Sequence, residues 1–264
     1  MITAIFLLSL YGPGHSFAGE GRGNNGANPA IGNAFAGEEL TYNIGFWLFE
    51  GVAVGKVRLE RNGPLYVATL SAYTTGLSDW LKHREDTYTA KIEEVEGGRR
   101  FRTLSFEEDV IVGSKKRKIL TEIDYKRGVV KWRRWKNEKL SKTLEFPVKP
   151  GITYDDPLTA FYNFRYGAYG PIEEGRRYTI RTFPGDKEKE VDIGLSIVTG
   201  EERKKRAGDK EGYLADVKLA KELFDSSSGE IEVLFDKRLV PMKAVARDIV
   251  FFGDVRGTLV PSRR

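Results

Sequence analysis

The segment YDDPLTAFYNFRYG, Tyr154 to Gly167, is the one strong helix signal in a chain that otherwise alternates in the manner of β-strands. Asp156 stands where an N-cap carboxylate accepts from the first unpaired N–H groups. Pro157 takes the first helical position, where a missing N–H costs nothing, and Gly167 suits a left-handed exit. Leu158, Phe161, Tyr162 and Arg165 fall at helical spacing on one side, while Ala160 and Phe164 carry the apolar surface well around the cylinder. A short helix that is apolar on most sides needs cover on most sides. The spacing therefore predicts a helix over 156–165 with a large sheet curled around it.

On either side of this helix the pattern is strand after strand. Leu40, Tyr42, Ile44, Phe46 and Leu48 alternate with Thr41, Asn43 and Gly45, the period of two that marks a half-buried strand. Val57 and Leu59 alternate with Lys56, Arg58 and Glu60, and Asn62-Gly63 is a hairpin signal into LYVATLSAY. Gly76-Leu77-Ser78-Asp79-Trp80-Leu81 reads as a short helical turn before a strand from Arg84 to Val95. Tight turns at Gly97-Gly98, Gly113, Lys126-Arg127-Gly128 and Asn137-Glu138 connect the strands up to Pro147. After the helix come RRYTIRTF, a segment centred on Val191 to Ile197, a charged segment EERKKRAGDKEG read as an exposed loop, and four further strands ending near Val260. No helix separates consecutive strands as a parallel crossover requires, so the sheet is expected to be antiparallel. The fold class is mainly β: a large, strongly curved antiparallel sheet, a half-barrel or open barrel, with one short helix packed on its concave face.

The 264 residues include 40% hydrophobic, 31% charged and 12% aromatic side chains, enough for a sizeable core. A net charge of +5 favours anionic surfaces such as phospholipid headgroups or acidic glycans, although most such charge is ordinarily a solvated surface. There is no cysteine, which removes disulfides, thiol nucleophiles, zinc–thiolate sites and iron–sulfur clusters together, and with them a lipoprotein anchor. The two histidines are His15 and His83, so neither a histidine metal cluster nor a Ser-His-Asp triad is expected, and no cofactor is implied.

Residues 2–10, ITAIFLLSL, form an apolar run too short to span a bilayer, and Ser16-Phe17-Ala18 supplies small residues of the kind a signal peptidase reads. The expectation is a signal peptide over 1–18, a flexible Gly/Asn-rich lead-in over 19–36, and one β-rich domain over 37–261. No later stretch is long and apolar enough to cross a membrane as a helix. These features point to a soluble periplasmic protein without a lipid anchor.

Several segments together resemble a known family: Gly37-Glu38-Glu39-Leu40-Thr41-Tyr42, then Gly76-Leu77-Ser78-Asp79-Trp80 with Asp86-Thr87-Tyr88, then Asp156-Pro157-Leu158-Thr159-Ala160. Leu239-Val240-Pro241 and Phe252-Gly253-Asp254-Val255 with Leu259 complete the set. The family is that of exported bacterial proteins known as domain of unknown function 3108. The resemblance implies an envelope protein rich in β structure and supplies neither an activity nor site residues.

Three chemistries compete. A curled sheet with an aromatic interior is a container for an apolar ligand, and Trp80, Phe161, Tyr162 and Phe164 are the residues expected to line it. This makes the protein a non-enzymatic binding or carrier protein for a lipid or lipid-linked glycan. Alternatively, the sheet is fully packed and the protein is an envelope scaffold or assembly module acting through protein contacts. A third reading makes Asp155, with Asp156, a carboxylate pair for glycan hydrolysis, but capping already accounts for Asp156. His83 in DWLKHRED reads as an edge histidine entering a strand. In VVKWRRW, Trp132 shares a face with Val130 and Arg134, and Trp135 lies on the other face, so the basic and aromatic cluster is split. Export argues against nucleic acid as partner, leaving peripheral contact with an anionic membrane surface or with envelope proteins.

Overall fold

The period-two segments become the strands of one antiparallel sheet in a computed structural model, which describes residues 29–46, 49–76, 83–186, 191–219, 228–249 and 253–261. The signal-peptide segment and the turn at Leu77 to Leu81 lie outside the described residues. A first meander runs through β1 (Glu39–Phe46), β2 (Phe49–Asn62), β3 (Leu65–Thr74), β4 (Arg84–Val95), β5 (Arg100–Val112), β6 (Lys115–Asp124), β7 (Val129–Lys136) and β8 (Lys139–Pro147). The helix predicted by capping follows, over Pro157–Tyr166. It is α2 here, because a short α1 (Ile31–Phe35) precedes β1. A second meander comprises β9 (Arg177–Thr182), β10 (Val191–Ile197), β11 (Tyr213–Lys218), β12 (Glu230–Phe235), β13 (Pro241–Ile249) and β14 (Gly253–Leu259), with α3 (Gly200–Ala207) between β10 and β11.

The spatial order is β8-β7-β6-β5-β4-β3-β2-β1-β14-β13-β12-β11-β10-β9, a single sheet of 14 strands. First and last strands pair, with Tyr42 opposite Leu259 and Phe46 opposite Val255. The order is therefore cyclic and opens at one place, between β8 and β9, the two strands that flank α2. Burial alternates as the sequence does: Leu40, Tyr42 and Ile44 of β1 point inward, as do Val57 and Leu59 of β2 and Tyr66, Ala68 and Leu70 of β3.

The sheet is curled around α2. The helix packs on β3, β4 and β5. On its other side Phe164 meets Tyr178 of β9 at 5.6 Å and Phe235 of β12 at 5.5 Å between ring centroids. One ten-residue helix touches both wings only if the sheet bends about it. Its ends are as the sequence indicates: Asp156 Oδ1 accepts from the N–H groups of Leu158 (2.8 Å) and Thr159 (3.2 Å), and Gly167 has φ +83°.

Two features anchor the helix. The pairing of β5 with β6 begins at Ser105, so Phe101 has no strand on that side. Asn163 of α2 supplies what a strand would: its Oδ1 accepts from Phe101 N–H at 2.8 Å and its Nδ2 donates to Phe101 C=O at 2.9 Å. Near the helix C-terminus, Arg165 donates to both oxygens of Glu38 (2.6 and 2.7 Å) and to the Leu239 carbonyl (2.9 Å), and lies over the Phe35 and Phe161 rings.

The sequence reading needs two corrections. The lead-in expected to be flexible as far as Ala36 holds α1, whose Ile31 is fully buried and donates its N–H to the Gly98 carbonyl at 2.8 Å. A Cβ at Gly32 would fall 2.1 Å from the Tyr66 ring, so this glycine permits close packing and does not mark a loose chain. The charged segment expected as a loop contains α3, and α2 is therefore not the sole helix. Glu201 and Glu202 occupy the first turn of α3 and Lys204, Lys205 and Arg206 the last, the arrangement that complements the helix dipole. No residue of α3 is buried, so it carries none of the apolar periodicity by which α2 is read. Arg206 fastens it to the outer face of the sheet through Asp216 and Glu232.

Arg165 is 6% exposed, and its removal strands the Glu38 carboxylate in a largely enclosed place. Arg165→Ala is expected to lower unfolding free energy in a denaturant titration by about 3–5 kcal/mol, and Arg165→Lys by less, because an ammonium restores charge without the fork.

Candidate ligand-binding crevice

Between α2 and the wall formed by β9 to β12 lies a crevice with an almost wholly apolar lining. Pro157, Ala160, Phe161 and Phe164 form the helix side, and Ile180, Ile193, Leu195, Val217, Leu219, Val233 and Phe235 form the wall. The wall residues are the inward members of their alternating strands, which is why so many β-branched side chains meet here. The cavity measures about 50 Å³, far below the roughly 300–1,000 Å³ of small-molecule sites.

Of the residues expected to line a container, Phe161 and Phe164 border this crevice. Tyr162 does not: it is fully buried on the side of α1, against Phe35 at 5.4 Å and Phe161 at 5.0 Å. Its helical spacing places it near Phe161, but α1, which the sequence reading left out, takes up its ring. Trp80 lies outside the described residues. The wall residues were legible as inward-facing strand positions, but nothing in their spacing said which of them would face the helix.

At the N-terminal end of α2, two carboxylates are enclosed. Asp156 Oδ2 accepts from the Thr103 hydroxyl at 2.7 Å and from the Thr159 hydroxyl, in addition to capping the helix. Asp155 is fully buried, and its N–H donates to the Arg181 carbonyl of β9 at 2.9 Å. Asp155 Oδ2 accepts from Arg100 Nη2 (2.6 Å) and from the Tyr169 hydroxyl (2.7 Å). Burial pushes the Asp155 carboxyl up to about 6, against the pull of the Arg100 guanidinium. Burial also raises Asp156, opposed by its hydroxyl donors. Neither carboxylate borders the crevice or the two cavities described next. Their hydrogen bonds hold the helix to β5 and β9, a structural use for both Asp155 and Asp156.

A wider groove of about 560 Å³ lies on the outer face of β9 to β12, floored by Gly194 and Ser196. Most of its charges are paired: Arg206 holds Asp216 and Glu232, Arg247 holds Glu232 and, beyond the groove, Asp254, and Lys218 lies 3.9 Å from Glu230. A third cavity, of about 270 Å³, is bordered by Lys116, Lys118, Trp135 and Glu138. Trp132 turns inward and is 4% exposed, and Trp135 is only partly buried, so the two tryptophans of β7 do occupy opposite faces. His83 is half exposed beside Glu85 at 3.2 Å. Among the described residues no group of three or more histidines and carboxylates is placed to hold a metal ion. No helix among them is long and apolar enough to cross a membrane.

The profile of a family described as "Protein of unknown function (DUF3108)" matches residues 39–260. None of the curated proteins compared matches the chain. Among solved structures, the chain is similar to a beta-barrel-like protein of domain of unknown function DUF1849 from Brucella abortus, with 13% identity and a TM-score of 0.48, covering 84% of this chain and 95% of that one.

The buried Asp155 makes stability depend on pH in a stated direction. Folded protein keeps the proton up to about pH 6, whereas the unfolded chain releases it at the ordinary carboxylate value of 3.8. Stability from this group is therefore present at low pH and lost as pH rises through that window. Asp155→Asn does not titrate, so urea titrations at pH 4 and pH 7 should show the variant gaining on the wild type at the higher pH, by on the order of 2 kcal/mol.

Proposed function

The chain belongs to the DUF3108 family, whose function is unknown, and from that premise we propose that it is a non-enzymatic binding protein for an apolar ligand, a lipid or lipid-linked glycan. The ligand's hydrocarbon enters between α2 and the β9–β12 wall. The observation that carries this reading is the composition of the crevice: helix and wall meet there through apolar side chains, while the polar groups of the helix N-terminus are engaged elsewhere.

At about 50 Å³ the crevice is too narrow for a chain of several methylenes, which enters only if wall and helix part. The open edge of the sheet gives them room to do so. No strand pairing joins β8 to β9. The described seam is bridged by Asp186, which accepts from Arg134 at 2.6 Å on β7 and from Lys142 at 2.7 Å on β8. Lys142 holds the Asp186 carboxyl below its usual range, but the pair is solvent-exposed and worth little. A seam held by side chains separates far more easily than one held by a ladder of backbone hydrogen bonds. Residence in the periplasm is part of the proposal, supported by the apolar run at residues 2–10 and the small residues after it.

The same small volume favours a second reading, an envelope scaffold whose core is simply filled. One experiment separates the two. Under the first reading, native mass spectrometry of protein purified from its own envelope shows a bound lipid mass, and the purified protein takes up a pyrene-labelled fatty acid. Val217→Trp, which fills the crevice from the wall, is expected to abolish uptake with the far-UV circular dichroism unchanged. Absence of both lipid and uptake in the wild type, or undiminished uptake by folded Val217→Trp, leaves the scaffold reading.

A further inference from the structure

The two ends of the barrel differ in chemistry. Because every strand pair is antiparallel, the β1–β2, β3–β4, β5–β6 and β7–β8 turns share one end, and the turns at Gly63, Gly97-Gly98 and Gly128 share the other. Among the described residues, all the large apolar side chains that are strongly exposed lie at the first end. Phe49 opens β2 and is 60% exposed, Tyr73 is the penultimate residue of β3 at 40%, and Leu140 is the second residue of β8 at 57%.

Cations gather at the same end. Strand register sets Arg117 of β6 opposite Lys136 of β7, and Lys136 opposite Lys139 of β8. Like charges directly opposite one another across strands repel; Arg117 has Glu108 beside it at 3.9 Å, whereas Lys136 and Lys139 face each other without such a partner among the described residues. Lys116 and Lys118 have Asp109 and Glu107 as partners. Among the described residues Lys115, Lys136 and Lys139 have no acidic partner. Trp135 sits between Lys118 and Leu140 in the same register, bordering the cavity of about 270 Å³ with Lys116 and Lys118.

We propose that this end of the barrel docks on a bilayer containing anionic phospholipid. Lys115, Lys136 and Lys139 contact headgroups, and Phe49, Tyr73 and Leu140 enter the interfacial layer. Aromatic rings and lysines are the side chains that partition to that layer. The spread of the apolar residues favours a membrane over a folded acidic partner. Tyr73 and Leu140 are five strand spacings apart, up to about 24 Å along the sheet. They make no common patch, and a fluid, planar surface meets a rim where a protein would need a convergent site. The docking does not depend on the crevice binding lipid, although Leu219 of the crevice follows the end of β11 at this same end.

Co-sedimentation tests the proposal with vesicles of phosphatidylcholine alone and of phosphatidylcholine mixed with phosphatidylglycerol. The wild type is expected to bind only the mixed vesicles and to be released by salt. The combined Lys115→Gln, Lys136→Gln and Lys139→Gln variant should bind them about 100-fold more weakly. It should unfold at the same temperature as the wild type or higher, since cross-strand repulsion is relieved. Phe49→Ser with Leu140→Ser should weaken binding at every salt concentration. The proposal is overturned if the wild type does not bind the mixed vesicles, if it binds both kinds equally, or if the lysine variant binds as the wild type does. Uptake of the labelled fatty acid by the lysine variant should remain at the wild-type level, which keeps failure of docking distinct from failure of the crevice reading.

Discussion

The structure depends on how the free edge of β5 is satisfied. Beyond Ser105 this strand has outrun β6, and the peptide groups of Phe101 face the interior with no neighbouring strand to pair with. A buried, unpaired N–H and C=O would together cost several kcal/mol, more than most single contacts contribute. Asn163 resolves this with one side chain, because a carboxamide carries the same donor and acceptor as a peptide group. The helix is thereby placed inside the curl of the sheet, and Thr103 with Asp156 ties its first turn to the same strand.

From that placement the open seam follows. In the cyclic strand order, β8 and β9 are the pair that would close the barrel, and they are also the pair whose connection contains α2. With the helix occupying the interior, the second wing wraps around its far side, tied to it by the Asp155 N–H bond to the Arg181 carbonyl and by Arg165 to the Leu239 carbonyl, and otherwise packs through side chains. The first wing grips the helix through the Asn163, Thr103 and Arg100 hydrogen bonds; the second meets it mainly across the apolar crevice, where Phe164 packs on Tyr178 and Phe235.

Much of this was legible along the chain. Asp156-Pro157 and Gly167 mark the helix ends because capping is a local matter, settled within a few residues of backbone. Strand faces follow from a period of two, so the split between Trp132 and Trp135 is visible in VVKWRRW itself. Where the signal is charge in place of apolar periodicity, as in α3, or small residues that resemble a linker, as around Gly32, composition misleads. The stabilising partners of such segments, Asp216 and Glu232 for α3 and Tyr66 beside Gly32, are distant in sequence.

The sequence by itself determined the strands, the capped helix α2, their order, and which side chains would seek an interior, because these depend on near neighbours in the chain; α1 and α3 were not among them. Only the tertiary structure decided that β1 pairs with β14 and that Asn163 completes β5. It also decided that Tyr162 turns to α1 while Phe161 and Phe164 face β9 to β12, and that both aspartates are enclosed. The reason is physical: register and facing are set by which distant polar groups and apolar surfaces remain unsatisfied once local structure has formed, and a list of residues does not contain those distances.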